Sequence, residues 1–159
     1  MKIKSLLAPL LLLAAGCAWA DAPFTVSADG TEVTDGRTGL VWRRCAEGMA
    51  ANGGSCTGTA STFTHEQAMV RARDQATSTS VAWRLPNVKE LASIADRSKS
   101  NPAIDTLAFP ATPAAVFWTS SPYVFNAQHA WVVRFGGGGV DAYYRIGNPY
   151  SVRLVRAGQ

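Results

Sequence analysis

Two helix-start signals stand close together in the middle of this chain, and their placement constrains the fold more than any other feature. "THEQ", residues 64–67, and "NVKE", residues 87–90, each set a capping residue three positions before a Gln or Glu. That spacing lets cap and third residue satisfy each other's orphan backbone N–H groups. The first signal predicts a helix from Thr64 through Ala68, Met69 and Ala72 to about Ala76. The second, with Pro86 ahead of the cap at Asn87, gathers Val88, Leu91, Ile94 and Ala95 on one apolar face.

Both flanks read as strands. "FTVSADGTEVTDGRTGLVWRR" alternates around turns at Asp29-Gly30 and Asp35-Gly36, a β-meander ending in a strand near Leu40 to Trp42. Beyond the helices, "RSKSNPAIDTLAFPATPAA" is an irregular crossover holding Pro102, Pro110 and Pro113. "VFWTSS", "HAWVVRFG", "GVDAYYRI" and "YSVRLVR" then return to strand, with Gly136 to Gly139 as a hairpin turn. Strands, two helices and strands again, without alternation, define an α+β fold.

The first twenty residues stand apart. "MKIK" is a basic leader, "SLLAPLLLLAAG" an apolar run too short to span a bilayer comfortably, and "AWA" a small-x-small cleavage site. The expected mature chain is residues 21–159, beginning at Asp21 and exported to the periplasm or beyond. The alternative is an outer-membrane lipoprotein processed at "AAGC" and lipidated on Cys17, although that site lacks the usual Leu. Removing Lys2 and Lys4 takes 15 basic residues to 13 against 11 acids, a net charge of +2 rather than +4. A nucleic-acid partner is not expected from so small an excess.

Cys45 and Cys56 remain. In an exported protein, two cysteines this close are expected to form a disulfide around "AEGMAANGGS", pinning a loop rich in Gly, Ser, Thr and Asn. A metal site is not expected, because His65 and His129 lie in unrelated contexts and zinc needs about four ligands.

"DGTEVTDGRTGLVWRRC", "WRLPNVKELASI", "PAIDTLAFP", "FWTSSPY", "AWVVRF" and "VRLVR" follow one another in this order. In them the chain resembles the family named after the C-terminal domain of the Legionella collagen-like adhesin (Lcl), from about Asp29 to Arg156. "WRLP" before a helix and the terminal "VRLVR" also resemble segments of formylglycine-generating enzymes. The resemblance implies a C-type-lectin-like architecture: two helices on a twisted, mostly antiparallel sheet, with N- and C-terminal strands adjacent. It also implies adhesion or glycan recognition, without the collagen-like repeats of the namesake.

Arg84 of "WRLP" is expected to be a buried structural tie, its guanidinium engaging carbonyls or a carboxylate such as Glu90 or Asp96. Trp83, Trp118 and Trp131 are assigned structural roles beside it. No enzyme is expected. The chain has no cysteine after Cys56, where formylglycine-generating enzymes use theirs. His65 and His129 read as surface or internally satisfied residues, Ser120-Ser121 lacks nucleophile-elbow glycines, and the acids form no close pair. No cofactor is expected. Asp141 and Asn148 could add to a weak Ca2+ site, but sugar-binding "EPN" and "WND" motifs are missing and "GNPY" lacks the acid.

The expected ligand-binding surface is "GGGGVDAYYRIGNPYS", where Tyr143, Tyr144, Arg145, Asn148 and Tyr150 offer flat aromatic area and a fork for an anion. The expected function is a non-enzymatic module recognising a glycan or anionic polysaccharide at the cell envelope. The alternative is an accessory protein binding another envelope protein.

Overall fold

The meander residues pair in antiparallel register. In the computed structural model, which describes residues 23–158, β1 (Phe24–Val26), β2 (Glu32–Asp35) and β3 (Leu40–Arg43) lie side by side. The expected cleavage before Asp21 and the alternative at Cys17 fall outside the described residues. Gly30, at φ +71°, makes the first turn, where the Asp29 carboxylate accepts from Ser27 Oγ at 2.6 Å and Thr31 N at 3.1 Å. The fourth strand of this sheet comes from the far end of the sequence: β11 (Val155–Ala157) pairs antiparallel with β3, setting Val155 opposite Trp42. The last strand therefore joins the N-terminal sheet beside its third strand.

The disulfide forms between Cys45 and Cys56. The segment it pins is more ordered than its composition predicts. β4 (Ala50–Asn52) and β5 (Ser55–Thr57) make a small hairpin, and its central residues Gly53 and Gly54 both have positive φ, as a type I′ turn requires. β6 (Thr62–Phe63) follows.

Both capping boxes are formed. Thr64 Oγ1 accepts from Gln67 N while Thr64 N donates to Gln67 Oε1, starting α1 (His65–Thr79). Asn87 and Glu90 exchange the same bonds ahead of α2 (Val88–Ser93). α1 runs three residues past the expected end because Ser80 takes the left-handed conformation that closes it. Neither helix is long and apolar enough to cross a membrane.

The last third builds a five-stranded sheet in the order β6-β10-β7-β8-β9, from β7 (Val116–Pro122), β8 (His129–Arg134), β9 (Gly139–Tyr144) and β10 (Tyr150–Ser151). β7, β8 and β9 are antiparallel, whereas β10 meets β7 in parallel through Ser151 and Phe117. Strand alternation divides the core into two clusters. Phe117 and Val133 pack with Leu91 and Ile94 of the α2 region and with Val33, Trp42 and Val155 of the first sheet. Their neighbours Trp118 and Val132 pack with Ala68 and Ala72 of α1 and with Trp83 and Leu85.

Two expectations need correction. "YSVRLVR" is not one strand: Val152–Leu154 crosses between the sheets, because Arg153 turns inward and is fully buried. Its Nη1 donates to the carbonyls of Arg43 and Arg44, its Nη2 to Thr112 Oγ1 at 2.7 Å, and its fork lies 4.8 Å from the Phe109 ring centroid. Arg84, by contrast, is not buried. Its Nη1 and Nη2 grip Glu90 Oε2 and Oε1, each at 2.8 Å, but its side chain is 46% exposed. The tie is made to one of the two acids expected, on the surface, and the interior fork is Arg153.

Candidate functional site

At one end of the five-stranded sheet two loops meet. The β7–β8 loop turns at Asn126, whose backbone N–H donates to Tyr123 O at 3.1 Å and whose Oδ1 accepts from Gln128 N at 2.9 Å. This turn lifts Val124 and Phe125 into solvent, 81% and 84% exposed. Behind them Tyr123 stacks edge-on with Phe125, Trp131 and His129, at 5.5, 5.1 and 6.1 Å between centroids. Trp131 is half-buried in this aromatic group rather than in the interior. The second loop follows β9, bends at Gly147 (φ +79°) and displays Ile146 at 83% exposure.

Arg145 fastens the two loops together. Its backbone N–H donates to Gln128 O at 2.8 Å, its Nη1 to Ala127 O at 3.5 Å and its Nε to His65 Nδ1 at 3.1 Å. His65, buried at the first position of α1, faces Thr119 O through Nε2 at 2.9 Å. With a carbonyl on one nitrogen and an arginine N–H on the other, the ring is assigned as the neutral tautomer protonated on Nε2. Burial chiefly pushes its pKa below the ordinary histidine value; the Thr119 carbonyl opposes this and the Arg145 charge adds to it. Thr64, Glu66, Ala127, Gln128, Arg145 and Ile146 line a hollow of about 600 Å³ here.

The other residues singled out from sequence lie nearby but are arranged differently. Tyr143 and Tyr150 pack ring on ring at 5.5 Å, and Tyr150 lies 4.9 Å from Trp118, so both form a half-buried row at the rim of the α1-side core. Burial raises the Tyr150 phenol pKa, with Tyr143 adding to the shift. Tyr144 pairs with His129 across β8 and β9, and its side chain lies outside the described residues. Asn148 is half-buried in the loop. Asp141 faces Arg134 at 4.0 Å and accepts from Ala142 N. Among the described residues no three His, Cys, Asp or Glu side chains gather where they could hold a metal.

Sequence reasoning missed the most exposed members of this end. Val124 and Phe125 sit between strand-like runs in "SSPYVFNAQH", and the signal was two large apolar residues where a turn should be polar. Ile146 carries the same signal beside Gly147 and Asn148.

The model of the Lcl C-terminal domain family matches residues 31–156. No curated protein matches the chain.

Proposed function

Because the chain belongs to the Lcl C-terminal domain family, we propose that it is an exported, non-catalytic binding module that recognises an acidic glycan at the cell envelope. The observation that carries this reading is the loop end itself. Arg145 ties the two loops together; one leaves Val124 and Phe125 exposed next to Tyr123 and Trp131, and the other leaves Ile146 exposed. Sugar rings present apolar C–H faces that lie against exposed aromatic groups. The guanidinium that ties the two loops supplies a partner for a carboxylate or sulfate. A platform fixed before binding also loses little freedom on binding. We extend the family's adhesin association to this chain and take its α+β fold as a C-type-lectin-like variant, with export through cleavage before Asp21.

Heparin, alginate and neutral dextran immobilised in parallel test the reading. Selective retention on the acidic polymers, declining as salt is raised, is expected. Phe125→Ala and Ile146→Ala should each weaken retention about fivefold, the effect of losing roughly 1 kcal/mol of contact. Neither should lower the melting temperature, since both side chains are exposed. Retention unaffected by these variants and by Arg145→Ala would show that this end is not the reader.

Two adjacent apolar side chains at more than 80% exposure also favour a second reading, an accessory protein docking on another envelope protein. Indifference to all three polymers, together with one stoichiometric adduct from a photo-crosslinker at position 125, would select it.

A further inference from the structure

A second, more polar hollow lies between the disulfide loop and the middle of α1. It encloses about 340 Å³ and is lined by Arg43, Glu47, Gly48, Met49, Arg71 and Gln75 among others. Its walls are fixed from several sides. Glu47 N donates to Val152 O and Ser61 N to Glu47 O, at 2.9 and 2.8 Å, while the disulfide holds Cys45 to Cys56. Gly48, at φ +90°, lies so close to Ser61 that any side chain there would run into it.

Two guanidinium groups are held at this hollow by one edge each. Arg43 lies 4.7 Å from the Trp83 ring centroid and donates through Nη2 to Gln75 Oε1 at 3.1 Å. Arg71 donates through Nε to Glu47 Oε2 at 2.7 Å. Among the described residues nothing accepts from either Nη of Arg71 or from Nη1 of Arg43. These are oriented, unspent donors of the kind that recognise a carboxylate.

Glu47 makes the hollow selective. It is a carboxylate only 6% exposed whose Oε2 is taken by Arg71, so its acceptor-only oxygens offer no bond to a bare anion. A ligand that also brings hydroxyl donors turns that acid into a hydrogen-bond acceptor, and Gln75 adds an amide of either polarity. The two demands together define one class.

We propose that the hollow between the disulfide loop and α1 binds a sugar acid, its carboxylate on Arg71 and Arg43 and its hydroxyls on Glu47 and Gln75. This site is lined by different residues from the loop end and does not require the loop end to be the reader.

The test uses the disulfide-intact protein, with D-glucuronate, D-glucose and acetate as probes and the Nε–Hε resonances of the arginines as readout. Glucuronate should shift Arg43 and Arg71 along saturable curves with a Kd on the order of 1 mM, while glucose and acetate bind at least about tenfold more weakly. Arg71→Gln should weaken glucuronate about tenfold, and Arg43→Gln provides a second variant if the first perturbs folding. Glu47→Gln should narrow the gap between glucuronate and acetate. Arg145→Ala should leave glucuronate binding intact whatever it does to polysaccharide retention, which separates this site's failure from the loop end's. Acetate as strong as glucuronate would overturn the sugar-acid class. So would glucose as strong as glucuronate. Linear shifts shared by all exposed arginines would reduce the effect to general charge and overturn the site.

Discussion

Arginine stands in three environments in this molecule, and each predicts a different response to removal. Arg153 is enclosed, and burial pushes its pKa down to about 9, so it still carries its charge at neutral pH. Its donors satisfy two carbonyls and a hydroxyl, the Arg44 carbonyl and the Thr112 hydroxyl in the interior and the Arg43 carbonyl partly buried. Arg153→Ala strands those acceptors and opens a cavity, and a loss of at least about 3 kcal/mol is expected. Arg84 is half in solvent, and Glu90 keeps its bond to Asn87 N when the fork is gone. Mutual bonding raises the Arg84 pKa and lowers that of Glu90, but solvent screens the pair, so Arg84→Ala should cost about 1 kcal/mol or less. Urea midpoints of the two variants check the ranking, and equal losses would contradict it. Arg145 is the intermediate case, a half-buried residue whose bonds join two loops.

Among the elements, α1 connects stability to the loop end, because its first residue is the histidine that Arg145 holds. A cation there is disfavoured by burial, by Arg145 and by the positive end of the helix. The folded-state pKa of His65 lies below the unfolded value of about 6.5. On acidification the unfolded chain takes up its proton first, so stability is complete above about pH 6.5 and falls as pH drops through that value. The urea midpoint is expected to hold from pH 8 to 7 and decline toward pH 5, with His65→Gln flattening that decline. A midpoint independent of pH in this range would show that His65 is not linked to folding.

The elements themselves were legible to different degrees, for physical reasons. Both capping boxes could be read because cap and partner are three residues apart and need nothing beyond local chemistry. The hairpin in the disulfide loop was legible in principle from "NGGS", residues 52–55, but the polar composition around it hid the signal. Arg153 could not be read: an alternating "VRLVR" predicts an outward arginine, and its inward partners, the carbonyls of Arg43 and Arg44, the Thr112 hydroxyl and the Phe109 ring, all lie far away in sequence. Tyr143 and Tyr150 were recognisable as aromatics near one turn. Their stacking on each other and on Trp118 depends on β10 meeting β7, which no local pattern encodes.

At the scale of the whole molecule, the two sheets share a chain crossing at Val152–Leu154, and the disulfide loop is tied to it through Glu47 N and Val152 O. Replacing Cys45 and Cys56 with Ser should lower stability by about 3 kcal/mol, the loop-closure term for a bridge of 11-residue separation. It should also weaken glucuronate at the hollow while leaving the loop end's retention of acidic polymers unchanged. Melting curves and the arginine titration, run on the same preparation, check both halves.

The seating of β11 against β3 has a consequence for the order of events during synthesis. Val155 and Trp42 are register partners 113 positions apart, so the N-terminal sheet keeps an open edge until the last strand has been made. Contacts of such long sequence separation form late, because the entropy of closing the loop comes before its reward. A growing chain therefore holds β1 to β3 without their closing strand through most of its elongation. The sheet is completed only when the whole domain is available, so its closing edge is the last part of the fold that can form.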